Sequence, residues 1–103
     1  MTAEIIQFKA AIDAKKVLEQ IHALAQNSEN IWMQVPHFKT RMVERDVTSR
    51  QVYDVLRAGR LVGTPKVDEN GDLIAKVKRF VAGRVVAVVV VVEASSLRPI
   101  TVI

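Results

Sequence analysis

From Val85 to Val92 the chain reads Val-Val-Ala-Val-Val-Val-Val-Val, eight residues without a polar side chain. β-branched side chains at all positions but one favour extended backbone. A strand with one wet face alternates apolar and polar residues, and this one does not. It therefore reads as a central strand covered on both faces, by helices on one side and by loops, a helix or a partner on the other. Burying its seven valines contributes roughly 10–20 kcal/mol gross, at about 1.5–3 kcal/mol each, before entropy is subtracted. Eight residues fall far short of the roughly 20 that a helix needs to cross a bilayer. The chain must build a sheet, and the sheet must be covered.

The covering layer is legible upstream. Ala14, Val17, Leu18, Ile21, Leu24 and Ala25 fall at offsets 0, 3, 4, 7, 10 and 11, one face of a helix. The spacing predicts a helix over about residues 9–26, ended by Asn27-Ser28-Glu29-Asn30, with His22 packing beside the stripe. Ile31–Val35 suits a short strand. Pro36 is acceptable in a first helical turn, so His37–Arg45 reads as a short helix with Phe38 and Met42 inward, Asp46 at its exit and Val47 closing it. Thr48-Ser49-Arg50-Gln51 is a capping box. It starts a helix carrying Val52, Val55 and Leu56, which stops at Gly59, a good residue for a left-handed exit. Arg50 and Asp54 form an i, i+4 pair on its outer face.

Beyond Arg60 the period changes. Leu61–Val67, broken by Gly63 and Pro65, reads as an irregular or edge strand, and Asp68–Asp72 as a turn. Leu73, Ala75 and Val77 then alternate with Lys76 and Lys78. Ala82-Gly83 turns the chain into the valine run, and Leu97–Ile103 with Pro99 forms a terminal strand. Trp32 and Tyr53 are expected in the core or at its edge. The whole predicts one α+β domain over residues 1–103: three helices covering an antiparallel three- to four-stranded meander.

Composition removes several functions. Absent cysteine excludes a disulfide scaffold, a thiol nucleophile and a Cys-based zinc site. Two histidines and eleven acids, scattered singly, do not suggest a metal site, and no motif points to a cofactor. There is no phosphate loop, dinucleotide fingerprint, H-E-x-x-H or G-x-S-x-G. Without a basic, then apolar leader pattern, and with Glu4 where a signal peptide avoids acids, the expected setting is soluble and cytoplasmic, with no membrane partner. Net charge is +4, and residues 35–60 hold six bases against three acids. That bias fits an anionic partner such as RNA.

Two groups of residues carry candidate chemistry. His37, Arg41 and Arg45 cluster with Glu44 on one side of their helix. Imidazole moves a proton near neutral pH, and guanidinium binds a phosphate and the charge of its transition state. The structural alternative is that both arginines pair with Glu44, Asp46 or strand acids. Lys76 and Lys78 share a strand face with Ile74 and Phe80, with Arg79 and Arg84 nearby. Such a surface, basic and partly aromatic, suits an RNA backbone. Its simpler explanation is that lysines protect a sheet edge from aggregation.

His37-x3-Arg41-Met42-x2-Arg45-x-Val47-Thr48, followed by Val52, Leu56 and Gly59, resembles a bacterial and archaeal family of domains of unknown function, number forty-two fifty-eight. Gly63-x-Pro65, Asp68-x-x-Gly71-Asp72, Ala82-Gly83-Arg84 and the closing Thr101-Val102-Ile103 extend the resemblance to about residues 14–103. Two positions depart from it. Pro36 stands where the family commonly has Ser or Thr, and Asp46 where it has Gly. The family's helix-then-meander order looks similar to RelE and barnase-like ribonucleases, which include many toxins of toxin–antitoxin pairs. The resemblance implies a small, metal-independent endoribonuclease. His37 would act as acid or base, Arg41 and Arg45 would hold the scissile phosphate, and Lys76, Lys78 and Arg84 would contact RNA. A small antitoxin-like protein would be its partner. The other reading is a non-catalytic domain that binds a protein, a second copy or a nucleic acid through the sheet face or an edge strand.

Overall fold

The structure, a computed structural model, describes residues 12–103. Among these residues three helices come first: α1 (Ala14–Ala25), α2 (Pro36–Arg45) and α3 (Ser49–Ala58). Five strands follow: β1 (Arg60–Leu61), β2 (Lys66–Val67), β3 (Leu73–Val81), β4 (Arg84–Val92) and β5 (Leu97–Val102). The fold is α+β as expected, with one strand more because the irregular segment forms two stubs.

Each helix is delimited by its own caps. Asp13, in extended geometry, accepts from the Lys15 and Lys16 amides at 3.0 and 3.3 Å. Helix α1 therefore starts at Ala14 rather than near residue 9, and residues 9–11 of the expected span lie outside the described residues. Helix α2 begins on Pro36 with no side-chain cap, and ends at Asp46 in the left-handed region (φ 54°, ψ 50°). The Val47 amide donates back to the Met42 carbonyl at 2.9 Å, closing the end as its apolar contact predicts. Thr48 and Gln51 form the capping box, at 3.2 and 3.0 Å.

All five strands pair antiparallel, in the order β1-β3-β4-β5, with β2 also on β3. The β3–β4 turn is Ala82-Gly83, with both φ positive (52° and 83°), the geometry that matches strand twist in a two-residue hairpin. The core-facing residues of β3 and β4, including Ala75, Val77, Val86, Val88 and Val90, are buried. They pack in one cluster with Val17 and Ile21 of α1, Phe38 and Met42 of α2, and Val52, Val55 and Leu56 of α3. All three helices thus lie on one side of the sheet.

Strand β4 is central as its composition requires, but its second face has no helical cover among the described residues. There Val91 is 3% and Ala87 8% exposed, whereas Val85 is 60% exposed. Cross-strand neighbours shield that face towards the Val91 end and leave it open towards the hairpin turn.

Other expectations are corrected. Of Ile31–Val35 only Ile31 joins the sheet, through an isolated parallel bridge to Leu97. Trp32 is 57% exposed rather than core. Asp54 pairs with Arg79 on β3, not with Arg50. Gly59 does end α3, yet in extended geometry (φ −75°, ψ 173°) rather than left-handed. Its carbonyl accepts from His22 Nε2 at 2.7 Å, which holds that histidine in the packing role expected of it.

Candidate functional site

Alternation divides β3 cleanly. Ala75 and Val77 enter the core, so Ile74, Lys76, Lys78 and Phe80 stand on the face away from the helices. Register sets Arg60 of β1 opposite Lys78, and Lys66 of β2 opposite Ile74. Directly opposed residues share a face, so four cations, Arg60, Lys66, Lys76 and Lys78, lie on this open surface. Among the described residues none of their side chains makes an ion pair or hydrogen bond. Two of them, Arg60 and Lys78, are direct cross-strand neighbours of like charge, an arrangement that destabilises a sheet.

At the far end of the surface Arg98, opposite Val91 on β5, lies 3.6 Å from Asp72 and 3.8 Å from Glu93, so that cation is paired. Lys66 in the same cross-strand row, and Lys76, Lys78 and Arg60 towards the hairpin turn, are not. Two shallow recesses accompany the cations. One of about 280 Å³ is lined by Arg60, Lys78, Arg79, Phe80 and Val85. The other, about 290 Å³, includes Thr64, Lys66, Ile74, Lys76 and Val89. Phe80 is 69% exposed and faces Val85 across the β3–β4 ladder.

Arg79 borders one recess, but neither its charge nor that of Arg84 belongs to this surface. Arg79 alternates to the helical side and pairs with Asp54. Arg84 donates to the Arg45 carbonyl at 2.8 Å and to the Asp46 carbonyl. Those carbonyls are left over at the end of α2, so Arg84 ties the hairpin mouth to that helix. Its expected contact with nucleic acid competes with this role.

The α2 row is set beside the β5 edge. His37 and Arg45 are exposed, and Arg41 is half-buried. His37 and Arg45 are about 12 Å apart along the helix axis, eight residues at 1.5 Å each. Arg41 is anchored, with Nε 3.4 Å from Thr101 Oγ1 and a terminal nitrogen 3.1 Å from Glu44 Oε1. Thr101 is the cross-strand partner of Val89, and Val89 is in turn the partner of Lys76. Arg41 thus reaches the margin of the open face, at the level of Lys76 and two strand spacings, about 10 Å, from it. The structure brings Arg41 to the border of the lysine surface, leaves His37 and Arg45 on the helix beside it, and moves Arg84 to the other side.

A larger recess, about 450 Å³, lies beside α3 and is lined by Arg50, Asp54 and Arg57 among others. Two of its three charges are engaged elsewhere. Asp54 holds Arg79, and Arg57 donates to the Ala25 carbonyl at 2.6 Å and stacks over Tyr53 at 5.3 Å.

Arg60 and Lys66 escaped the sequence reading because two-residue strands have no periodicity of their own. Their placement depends on the pairing of both stubs with β3. Among the described residues no helix is long and apolar enough to cross a membrane, and no group of three or more His, Asp or Glu side chains is placed to hold a metal ion. No family model, curated protein or solved structure matches the chain.

Proposed function

We propose that the open sheet face binds the phosphate backbone of a nucleic acid. One observation carries the reading: the cations stand on a strand whose outer edge is already covered. β1 pairs with Val77–Lys78 and β2 with Leu73–Ile74, and the Val62 amide donates to the Lys76 carbonyl at 2.8 Å. Edge protection therefore does not account for Lys76 and Lys78. Unpaired like charges that oppose one another are stabilised by a polyanion, which releases its condensed counterions on binding.

The test is a titration of a fluorescent 12-nucleotide RNA at several salt concentrations. Each neutralised phosphate of a single strand contributes about 0.7 to the slope of log K against log salt. Lys76→Gln/Lys78→Gln should bind more weakly, with a slope shallower by about 1.4 and no loss of thermal stability, since it removes the like-charge opposition of Lys78 and Arg60. An unchanged slope and affinity would refute the reading.

A second reading, cleavage at the β5 border, is favoured by the Arg41–Thr101 contact, which sets a guanidinium at the edge of the same surface. The H-x3-R-M-x2-R resemblance supports it. In such a reaction the ribose 2′-hydroxyl gives up its proton to a base, its oxygen attacks the adjacent phosphorus and the P–O5′ bond breaks. A 2′,3′-cyclic phosphate remains, and the leaving oxygen takes a proton. His37 has the chemistry to move that proton, and Arg41 to hold the phosphoryl oxygens. Purified protein should then cut RNA in the presence of EDTA, and His37→Ala should abolish cutting while binding persists. Intact RNA across varied sequences would dismiss cleavage and leave binding untouched.

A further inference from the structure

We infer that the face is built for a single-stranded nucleic acid, with Phe80 as the platform on which an unpaired base stacks. The inference rests on the backbone-binding reading and adds a substrate class to it. Phe80 follows Lys76 and Lys78 at successive i+2 positions on the same side of β3. The row from Lys76 to Phe80 spans about 14 Å of strand.

Phe80 is 69% exposed, and its cross-strand partner Val85 is 60% exposed, although both are large apolar side chains. The recess they share with Arg60 and Lys78 places a flat aromatic face directly beside two unpaired cations. A phosphate held at Lys78 or Arg60 leaves its own base within reach of the ring. In a duplex the bases are stacked inside and turn their edges, not their faces, outward. Stacking on an aromatic side chain therefore selects strands whose bases are free. Every base has such a face, so the surface should tolerate sequence.

The experiment compares a labelled 12-nucleotide oligouridylate with the same strand annealed to oligoadenylate, using wild type, Phe80→Ala, Phe80→Trp and Lys76→Gln/Lys78→Gln. Wild type should bind the single strand at least tenfold more tightly than the duplex. Phe80→Ala should weaken single-strand binding about tenfold, the loss of one stacked base, and leave duplex binding and the salt slope unchanged. Phe80→Trp should retain or tighten it. The ring is exposed, so these variants should melt with the wild type. Equal affinity for both forms, or indifference to Phe80→Ala while the lysine variant still weakens binding, would overturn the inference and preserve the backbone reading. Absence of binding to either form would overturn both.

Discussion

Phe38→Ala should lower the unfolding free energy by about 4 kcal/mol, the range for truncating a buried aromatic. Phe38 is 0% exposed, and no other aromatic ring among the described residues is fully buried. It joins α2 to the core shared with Leu97 and Val102 of β5. Removing it leaves a cavity that surrounding β-branched side chains are poorly able to fill, because each has few rotamers. Small domains have about 5–15 kcal/mol in total, so the variant should be near the limit of folding at 37 °C. Urea unfolding checks this: the midpoint should fall with the m-value unchanged. A loss below about 1 kcal/mol would mean that the site collapses around the deletion. The result also bears on function, because α2 carries His37 and Arg41 as well as Phe38. The native position of the candidate cleavage row depends on this ring.

Gly59→Ala should have the second largest effect, about 3 kcal/mol, through overpacking rather than a cavity. At φ −75° the backbone of Gly59 is open to any residue, so dihedral preference alone predicts a harmless or stabilising change. Space predicts the opposite. A Cβ there would overlap the Val55 carbonyl oxygen and lie 2.7 Å from both the Lys78 carbonyl oxygen and Val77 Cγ1. The first two obstacles are backbone, at the junction where α3 passes into β1 against β3. For a domain of this size 1 kcal/mol moves the melting temperature by about 4–8 °C, so the variant should melt about 12–24 °C lower. A shift of less than 3 °C would contradict the close approach. Where the turn glycines Gly63 and Gly71 need their positive φ, Gly59 needs its missing side chain.

What could be read from the sequence was mostly local. Thr48 and Gln51 are three residues apart, and Asp46-Val47 follow the helix they close, so caps and exits were legible without tertiary knowledge. The same holds for the alternation in Leu73–Val77 and for the demand that the valine run be central. Misreadings arose where a distant residue outcompeted a near one. Asp54 had Arg50 one turn away, but the fold brings Arg79 of β3 to it. Arg84 looked like a free cation until the carbonyls at the end of α2 claimed it. The Trp32 assignment failed for a related reason, whereas Tyr53 does pack at the core edge. Trp32 follows the only residue of its segment that pairs with β5, and nothing local shows that the chain leaves the sheet there. For the candidate surface, Lys76, Lys78 and Phe80 share a face by simple alternation, whereas Arg60 and Lys66 join them only through pairing.

The valine strand has one further consequence. A strand of nearly uniform side chains carries no address along its length. In an alternating strand a one-residue slip exchanges the core and solvent faces. Here it would leave valine at most core positions, and a two-residue slip would change still less. The native alignment must be decided by features other than the valines, at the Ala82-Gly83 turn and at the β5 irregularity between Pro99 and Thr101, which face Val90 and Val89. Closing a hairpin is local and takes about 1–10 μs, whereas pairing with another chain waits on concentration. An apolar, β-favouring segment without charge or proline is also what stacks into fibrils. For this protein, folding correctly and staying soluble are decided in the same contest, between a two-residue turn and a neighbouring chain.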